Sequence, residues 1–172
     1  VFTWMKTSYN SGTEGDWDNA NWSLVDFDRS EQYNLTITGR GRVAMSGRPS
    51  NTGGIGPSPS GDAQYFDIIG DQVVNDGNWH YVGYTYSVAN QNIIFYVDGQ
   101  VDKTYSANGN MTGVGLSTRY GFIGDGSEAS SFNSSLNNIF FEGSISAVHI
   151  YHRAISADEV LQNYNLDTNE AP

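Results

Sequence analysis

The chain has 172 residues, of which 19 are acidic and 8 are Lys or Arg, so its formal net charge is −11. This charge disfavours binding to nucleic acid and anionic membrane surfaces, and to strongly acidic polymers unless a cation bridges them. The chain has no cysteine and no apolar run long enough to insert into a membrane. Disulfides, thiolate metal sites and a cysteine nucleophile are therefore excluded.

The length and the many short apolar runs predict one all-β domain spanning residues 1–172. In chain order, the predicted strands before residue 100 are Phe2–Thr7, Trp22–Phe27, Asn34–Thr38, Arg42–Ser46, Tyr65–Ile69, Gln72–Val74, Trp79–Tyr86 and Ile93–Val97. Long polar connections separate some of these runs, and the longest, Gly47–Gln64, exceeds an ordinary connection and is a candidate functional loop.

The central feature of the pattern is a β-hairpin. Its two aromatic and β-branched strands, Trp79–Tyr86 and Ile93–Val97, flank a polar turn at Ser87–Asn92. Asp98 and Gly99 tolerate positive φ angles, which indicates a sharp turn directly after the second strand.

One helix is predicted near the C-terminus. Ser156 and Glu159 have the spacing of a capping box, and Val160 and Tyr164 then share one helix face. We expect this short helix to cover an edge of the sheets and the polar tail, residues 165–172, to fray.

The hairpin sequence, DGNWHYVGYTY followed by IIFYVDG, resembles that of the laminin-G-like, or concanavalin A-like, jelly-roll superfamily. Three more segments resemble family strands and occur in the family order: Phe2–Lys6, Tyr120–Gly124 and Glu142–Ser156. The resemblance implies an antiparallel β-sandwich of jelly-roll type with one short C-terminal helix. It also implies a strand before Phe2, beside the closing strand. That strand could be cut away or supplied by another chain, or the tail could cover its place.

The resemblance implies a structural role for the pair Trp79-His80. Laminarinase-like relatives carry Glu-X-Asp-X-X-Glu on one strand, and polysaccharide lyases of this fold carry a Gln-X-His strand. Neither motif occurs here, and the glutamates are scattered singly. Glycan cleavage needs a pair of closely spaced carboxylates, so we expect the chain not to be an enzyme.

Calcium is the one cofactor that the sequence indicates. Calcium accepts six to eight oxygens from flexible loops, and the loop before Trp22 has carboxylate and amide oxygens at alternate positions. The resemblance implies further ligands on the closing strand, but Ser146 and Ala147 replace the acidic pair there. One hypothesis is a calcium site formed by Asp16, Asp18, Asn21 and Asp125. The alternative is that these groups only solvate the loop.

The same loop has the composition of a sugar site. Indole rings stack on the apolar face of a pyranose, while amides and carboxylates bind its hydroxyls. Phe132, in the loop Asp125–Asn138, is a similar aromatic candidate. The predicted ligand-binding residues are Trp17, Asp18, Asn19, Asn21, Trp22 and Phe132. The alternative is that the two tryptophans cover the edges of the core.

These observations lead to three functional hypotheses. The first is a non-catalytic carbohydrate-binding and adhesive module of a secreted or bacterial surface protein, with a glycan or surface glycoprotein as partner and calcium as an aid. The second is a protein–protein or self-assembly module whose sheet edge is completed by a segment of another protein. The third, a glycan-cleaving enzyme, has the least support.

Overall fold

The structure, a computed structural model, describes residues 1–12, 21–27, 33–47, 66–106, 120–126 and 140–168. The strands in these segments are β1 Phe2–Lys6, β2 Asn21–Phe27, β3 Tyr33–Thr38, β4 Arg42–Gly47, β5 Phe66–Val73, β6 Trp79–Ser87, β7 Asn92–Val97, β8 Gln100–Ser106, β9 Gly121–Ile123 and β10 Ser144–His149. One helix, α1, spans Ala157–Thr168.

The strands form two five-stranded sheets. Sheet A has the order β10-β1-β6-β7-β8, and sheet B has the order β5-β4-β3-β2-β9. All pairs of neighbouring strands are antiparallel. The predicted antiparallel β-sandwich with one C-terminal helix is therefore confirmed.

The main core lies between the two sheets. Alternate residues of a strand point to opposite faces, so each strand sends one set of side chains inward. Met5, Val82 and Phe95 of sheet A are fully buried in one cluster with Leu35 and Val43 of sheet B. Burial of such side chains contributes about 1.5–3 kcal/mol each, which makes this cluster the main source of stability.

A second cluster covers the outer face of sheet A, where α1 packs. The rings of Trp4 and Tyr164 stack with centroids 5.6 Å apart, and Val160 is fully buried. The Trp4 indole Nε1 donates to Asp167 Oδ2 at 3.1 Å. The helix thus lies over a sheet face rather than at an edge, and this contact holds the helical turn that ends at Thr168, inside the segment that the sequence predicts to fray.

The central hairpin and the turn after it are confirmed. Tyr84 pairs with Phe95 across β6 and β7. Asp98 and Gly99 have φ angles of 51° and 77°, and they turn the chain directly into β8.

Two strand predictions need correction. β8 (Gln100–Ser106) has no counterpart in the sequence prediction, because its residues alternate without a clear apolar face: Val101 is half exposed. β5 is one strand, Phe66–Val73, rather than two short ones. Gly70 and Asp71 interrupt its apolar pattern, but the Asp102 carboxylate accepts hydrogen bonds from the backbone of Asp71 and Gln72 and keeps the strand extended there.

The N-terminal strand has neighbours on both sides. β1 pairs with β6 and with the closing strand β10. β10 itself has no second partner among the described strands. Among the described strands, β10 therefore forms one edge of sheet A.

Candidate functional site

The loops of the sandwich emerge at two opposite ends. At one end, Lys6 closes β1 and pairs with the first residues of β6 and β10, Trp79 and Ser144. On sheet B, the same end carries the start of β2 and the end of β3, where Asn21 pairs with Thr38. We call this end the Lys6 rim; it consists of residues 6–12, 38–42, 73–79, 124–126 and 140–144.

Two of the three candidate loops begin and end on the Lys6 rim. Residues 13–20 connect Gly12 to Asn21, and residues 127–139 connect Gly126 to Phe140. The third candidate loop follows Gly47 at the end of β4, which pairs with the start of β5 at the opposite end of the sandwich. The three loops therefore cannot all emerge beside one another.

Most of the predicted site residues are not described. The residues that lie outside the described segments are Asp16, Trp17, Asp18, Asn19 and Phe132. The backbones of Asn21 and Trp22 begin β2, opposite Thr38 and Ile37.

Asp125 is the one predicted ligand whose side chain is described. Gly124 donates to the carbonyl of Leu24 at 3.0 Å, so Asp125 follows β9 beside the first half of β2. Its Oδ1 accepts from the backbone N–H of Gly126 at 2.8 Å. The fold thus brings Asp125 to the same end of sheet B as Asn21. Among the described residues, no group of three or more His, Asp or Glu residues could hold a metal ion.

A polar groove of about 450 Å³ lies on the Lys6 rim. It combines one aromatic ring, hydroxyls, an amide, an ammonium group and a carboxylate. Tyr9, its one aromatic residue, is 37% exposed. The groove is lined by Lys6, Thr7, Ser8, Tyr9, Asn10, Gly77, Glu142, Gly143 and Ser144.

Thr7 joins the three segments that form the groove. Its hydroxyl donates to the carbonyl of Glu142 at 2.6 Å and accepts from the backbone N–H of Tyr9 at 3.0 Å. Its carbonyl accepts from Gly77 N–H at 3.0 Å. Because Thr7 is 5% exposed, these hydrogen bonds satisfy a buried polar group and fix the shape of the groove.

The Tyr9 wall is tied to sheet B and to the chain before β6. The side-chain amide of Asn75 donates to the carbonyl of Tyr9 at 2.8 Å. Ser11 N–H donates to the carbonyl of Gly39 at 2.9 Å. Asn10 Oδ1 accepts from Gly12 N–H at 2.8 Å, which forms an Asx turn. The Tyr9 wall therefore has a defined backbone up to the point where residues 13–20 begin.

The wall at Gly77 is held by a histidine between two carboxylates. His80 Nε2 lies 3.0 Å from Asp76 Oδ1, and Nδ1 lies 2.8 Å from Asp98 Oδ2. Hydrogen bonds to Asp98 and then to Asp76 raise the pKa of His80 against the effect of burial. Hydrogen bonds from Asn78, and then from His80, lower the pKa of Asp76 to about 2. The structural role implied for Trp79-His80 fits this geometry.

The wall at Gly143 needs a residue without a side chain. A Cβ atom at Gly143 would lie 2.3 Å from the carbonyl oxygen of Lys6 and 2.7 Å from the ring of Phe141. Glycine lets the chain before β10 pass close to the end of β1. This close approach lies in the wall of the groove, since Lys6 and Gly143 both line it.

The groove residues are not among the site residues that the sequence predicts. Thr7–Asn10 directly follow the end of β1, and Gly77 lies two residues before the start of β6. In an antiparallel sheet, the end of one strand lies beside the start of its neighbour. The pairing of β1 with β6 was thus the signal that could have brought these residues together.

A second cavity, of about 310 Å³, lies at the opposite end of the sandwich, between Tyr33, Tyr86 and Tyr151. Its lining includes Arg153, whose guanidinium donates to Glu159 Oε2 at 2.8 Å. Asp125, the predicted ligand whose side chain is described, does not line this cavity. The sequence predictions and the groove geometry both favour the Lys6 rim.

Solved structures with a similar fold include several binding modules. The CBM40 module of the Ruminococcus gnavus IT-sialidase is 19% identical, with a TM-score of 0.62 over 95% of this chain and 80% of that chain. The binding domain of Paraclostridial Mosquitocidal Protein 1 is 14% identical, with a TM-score of 0.63 over 98% of this chain and 37% of that chain. The botulinum neurotoxin type G receptor-binding domain is 13% identical, with a TM-score of 0.56 over 96% of this chain and 37% of that chain. At these identities the likeness shows the fold alone.

No curated protein matches the chain. The family model laminin G 3, described as the concanavalin A-like lectin/glucanases superfamily, matches residues 1–161. The match spans both sheets and the first turn of α1, in agreement with the antiparallel sandwich of the described segments. The chain therefore belongs to the concanavalin A-like lectin/glucanases superfamily.

Proposed function

We propose that the chain is a non-catalytic carbohydrate-binding module that binds glycan at the Lys6 rim. The observation that carries the proposal is that Tyr9 lines one groove together with Ser8, Asn10 and Glu142. A sugar ring has an apolar face that packs on an aromatic ring, and hydroxyls that pair with amides, hydroxyls and carboxylates. The groove supplies both kinds of contact.

The size and construction of the groove support this function. Small-molecule sites usually occupy about 300–1,000 Å³ and are largely formed before the ligand binds. The groove, at about 450 Å³, lies in this range. Its walls are fixed by hydrogen bonds of Thr7, Asn75 and Gly77, so less ordering is needed when a ligand binds.

Solved structures of similar fold also support a binding function. The CBM40 module of the Ruminococcus gnavus IT-sialidase, which has this fold, has also been solved bound to α2,3 and α2,6 sialyllactose. The other two similar structures are binding domains of toxins. A non-catalytic role agrees with these neighbours and with the lack of a Glu-X-Asp-X-X-Glu strand motif in the sequence.

We further propose that the module binds calcium and that the protein acts outside the cell or on its surface. Calcium bound by Asp16, Asp18, Asn21 and Asp125 would join the ends of β2 and β9 to residues 13–20 beside the groove. Trp17 and Phe132 would add aromatic faces to the site from the two loops that begin and end on this rim. A glycan partner places the protein outside the cell or on its surface, where it would serve adhesion. No helix in the described segments could span a membrane.

A glycan array, probed with calcium and with a chelator, tests the proposal. We expect Tyr9→Ala and Trp17→Ala each to weaken binding about tenfold or more, because each removes a stacking ring. Tyr151→Ala is the matched control, since Tyr151 is 36% exposed at the opposite end of the sandwich. Failure to bind any glycan in either condition would contradict the proposal, as would equal loss of binding in the control.

A second candidate function is a protein–protein or self-assembly module. The observation that favours it is the closing strand β10, which pairs only with β1 among the described strands. Its residues, Ser144–His149, include neither charge-bearing Lys, Asp or Glu nor proline, the usual means of protecting an edge. The mass of the protein in solution tests this candidate: a monomer at all concentrations counts against self-assembly.

A further inference from the structure

We infer that the groove on the Lys6 rim takes an uncharged glycan in preference to a sialylated, uronic or sulfated one. This inference rests on the proposed function and names the class of sugar that the same site accepts. It concerns the balance of charge around the groove and the kinds of donor that line it.

Among the described residues, the lining has one charge of each sign. Lys6 provides an ammonium group and Glu142 a carboxylate, and the other polar residues of this part of the lining are neutral. A carboxylate or sulfate on a sugar would therefore approach Lys6 and Glu142 together. Neutral hydroxyls and acetamido groups avoid this conflict, because a carboxylate accepts hydrogen bonds from hydroxyls and N–H groups.

The described lining does not include the residue type best suited to anionic sugars. Arginine binds a carboxylate through two parallel hydrogen bonds, and no arginine is among the described residues that line the groove. The two arginines elsewhere on the Lys6 rim donate to backbone carbonyls. Arg40 Nε donates to Gly12 at 3.1 Å, and Arg42 Nη1 donates to Gly70 at 3.4 Å.

The surroundings of the groove are acidic. The described residues of the Lys6 rim have three cationic and three anionic side chains, Lys6, Arg40, Arg42, Asp76, Asp125 and Glu142. The two loops that begin and end on this rim add only acidic charge: Glu14, Asp16, Asp18 and Glu128, with no Lys or Arg. The rim with its loops therefore has an excess of four negative charges, or of two with one calcium ion at the proposed site, and either excess disfavours an anionic ligand.

This preference differs from that of a neighbour in fold. The CBM40 module of the Ruminococcus gnavus IT-sialidase has been solved with sialyllactose. This chain shares that fold at only 19% identity, so the charged residues of its groove need not match those of the CBM40 module. We therefore expect the two proteins to differ in which member of a sialylated and desialylated glycan pair they bind.

The test is a glycan array printed as matched pairs that differ only in a terminal sialic acid, probed with the full chain. The same array is probed again after sialidase treatment, with calcium and with a chelator. We expect the uncharged member of each bound pair to bind about tenfold or more tightly. Tighter binding to the sialylated member in either condition would overturn the inference but would leave glycan binding standing. No binding to any glycan would overturn the proposed function itself.

The dependence on salt concentration shows whether charge or steric fit causes the preference for the uncharged glycan. Repulsion between exposed charges is screened as ionic strength rises. Between about 20 and 500 mM sodium chloride, we expect the gap between the members of a pair to narrow, chiefly because the sialylated member binds better. A gap that does not change with salt would contradict the inference, since the discrimination would then come from steric fit.

Discussion

His80 joins Asp76, on the Lys6 rim, to Asp98, in the turn between β7 and β8, through one imidazole ring. Carboxylate oxygens only accept hydrogen bonds, and both ring nitrogens lie within 3.0 Å of one. Both nitrogens must therefore carry a proton for both contacts to form. Asp76 and Asp98 are the charged groups that face the ring, and the neighbouring strand β1 places Met5 opposite it. The protonated ring thus ties the wall at Gly77 to the turn between β7 and β8.

This geometry predicts how stability changes with pH. The pKa of His80 is raised in the folded state by Asp98 and then Asp76, above an unfolded value of about 6.5. The stabilisation by His80 is therefore fully present below about pH 6.5 and is lost as the pH rises through the folded-state pKa. We expect the Tm of the wild type to exceed that of His80→Gln most at about pH 5.5, and the difference to shrink by about pH 9.

The measurement is thermal unfolding across this range. It stays above the pH at which Asp76 titrates, since the pKa of Asp76 is lowered to about 2. His152→Gln is a suitable control, because His152 is exposed and lies at the opposite end of the sandwich. A Tm difference between wild type and His80→Gln that stays constant with pH would show that the two carboxylates do not hold a protonated ring.

At the scale of elements, the edge strands β5 and β8 close one side of the sandwich through side chains. The two oxygens of the Asp102 carboxylate accept from Asp71 N–H and Gln72 N–H, each at 2.9 Å. The Tyr105 hydroxyl donates to the carbonyl of Ile69 at 2.7 Å, and Lys103 Nζ lies 2.7 Å from Asp71 Oδ1. These contacts occupy main-chain groups of an edge strand that would otherwise be open to another chain.

The side-chain contacts between β5 and β8 predict that two substitutions on β8 differ in their effect on stability. Asp102→Ala removes two charge-assisted hydrogen bonds, and we expect it to lower the free energy of unfolding by about 1–3 kcal/mol. Lys103→Ala removes an exposed ion pair, and we expect a loss of about 0–1 kcal/mol. Urea denaturation of both variants checks this. If Lys103→Ala lowers the free energy of unfolding as much as Asp102→Ala does, the hydrogen bonds of Asp102 are not the main contact between β5 and β8.

The same two strands show where sequence patterns stop being informative. The hairpin β6–β7 has apolar side chains on both faces, because one face meets sheet B and the other meets α1, and its aromatic runs identify it directly. β8 is an edge strand whose side chains are Asp102, Lys103 and a half-exposed Val101, so no apolar alternation indicates it. Its existence follows from the tight turn at Asp98 and Gly99, which returns the chain beside β7.

The sequence predicts the candidate site only in part. The segments that resemble family strands indicate the order of the strands, and this order determines which loops share an end of the sandwich. The groove, however, depends on hydrogen bonds between distant segments, such as Thr7 with Glu142 and Asn75 with Tyr9. Ser, Thr and Asn residues are common throughout the sequence, so nothing in their local pattern marks these pairs.

At the scale of the whole molecule, the two ends of the sandwich differ in kind. The Lys6 rim has the polar groove and the loops with the predicted aromatic and acidic ligands. The opposite end has the cavity among Tyr33, Tyr86 and Tyr151, and the turn Ser87–Asn92. The sandwich separates these ends by the length of its strands, so a ligand at one end does not contact the other.

Because the two ends are separated, an NMR titration can show directly whether glycan binds at the Lys6 rim. A glycan selected from the array is titrated into ¹⁵N-labelled protein, and the backbone amide shifts are followed by NMR. We expect the largest shifts at Tyr9, Asn10, Gly77 and Gly143, with the amides of Ser87–Asn92 unchanged. Shifts concentrated at Ser87–Asn92 and around Tyr151, with the groove amides unchanged, would show that glycan does not bind at the Lys6 rim.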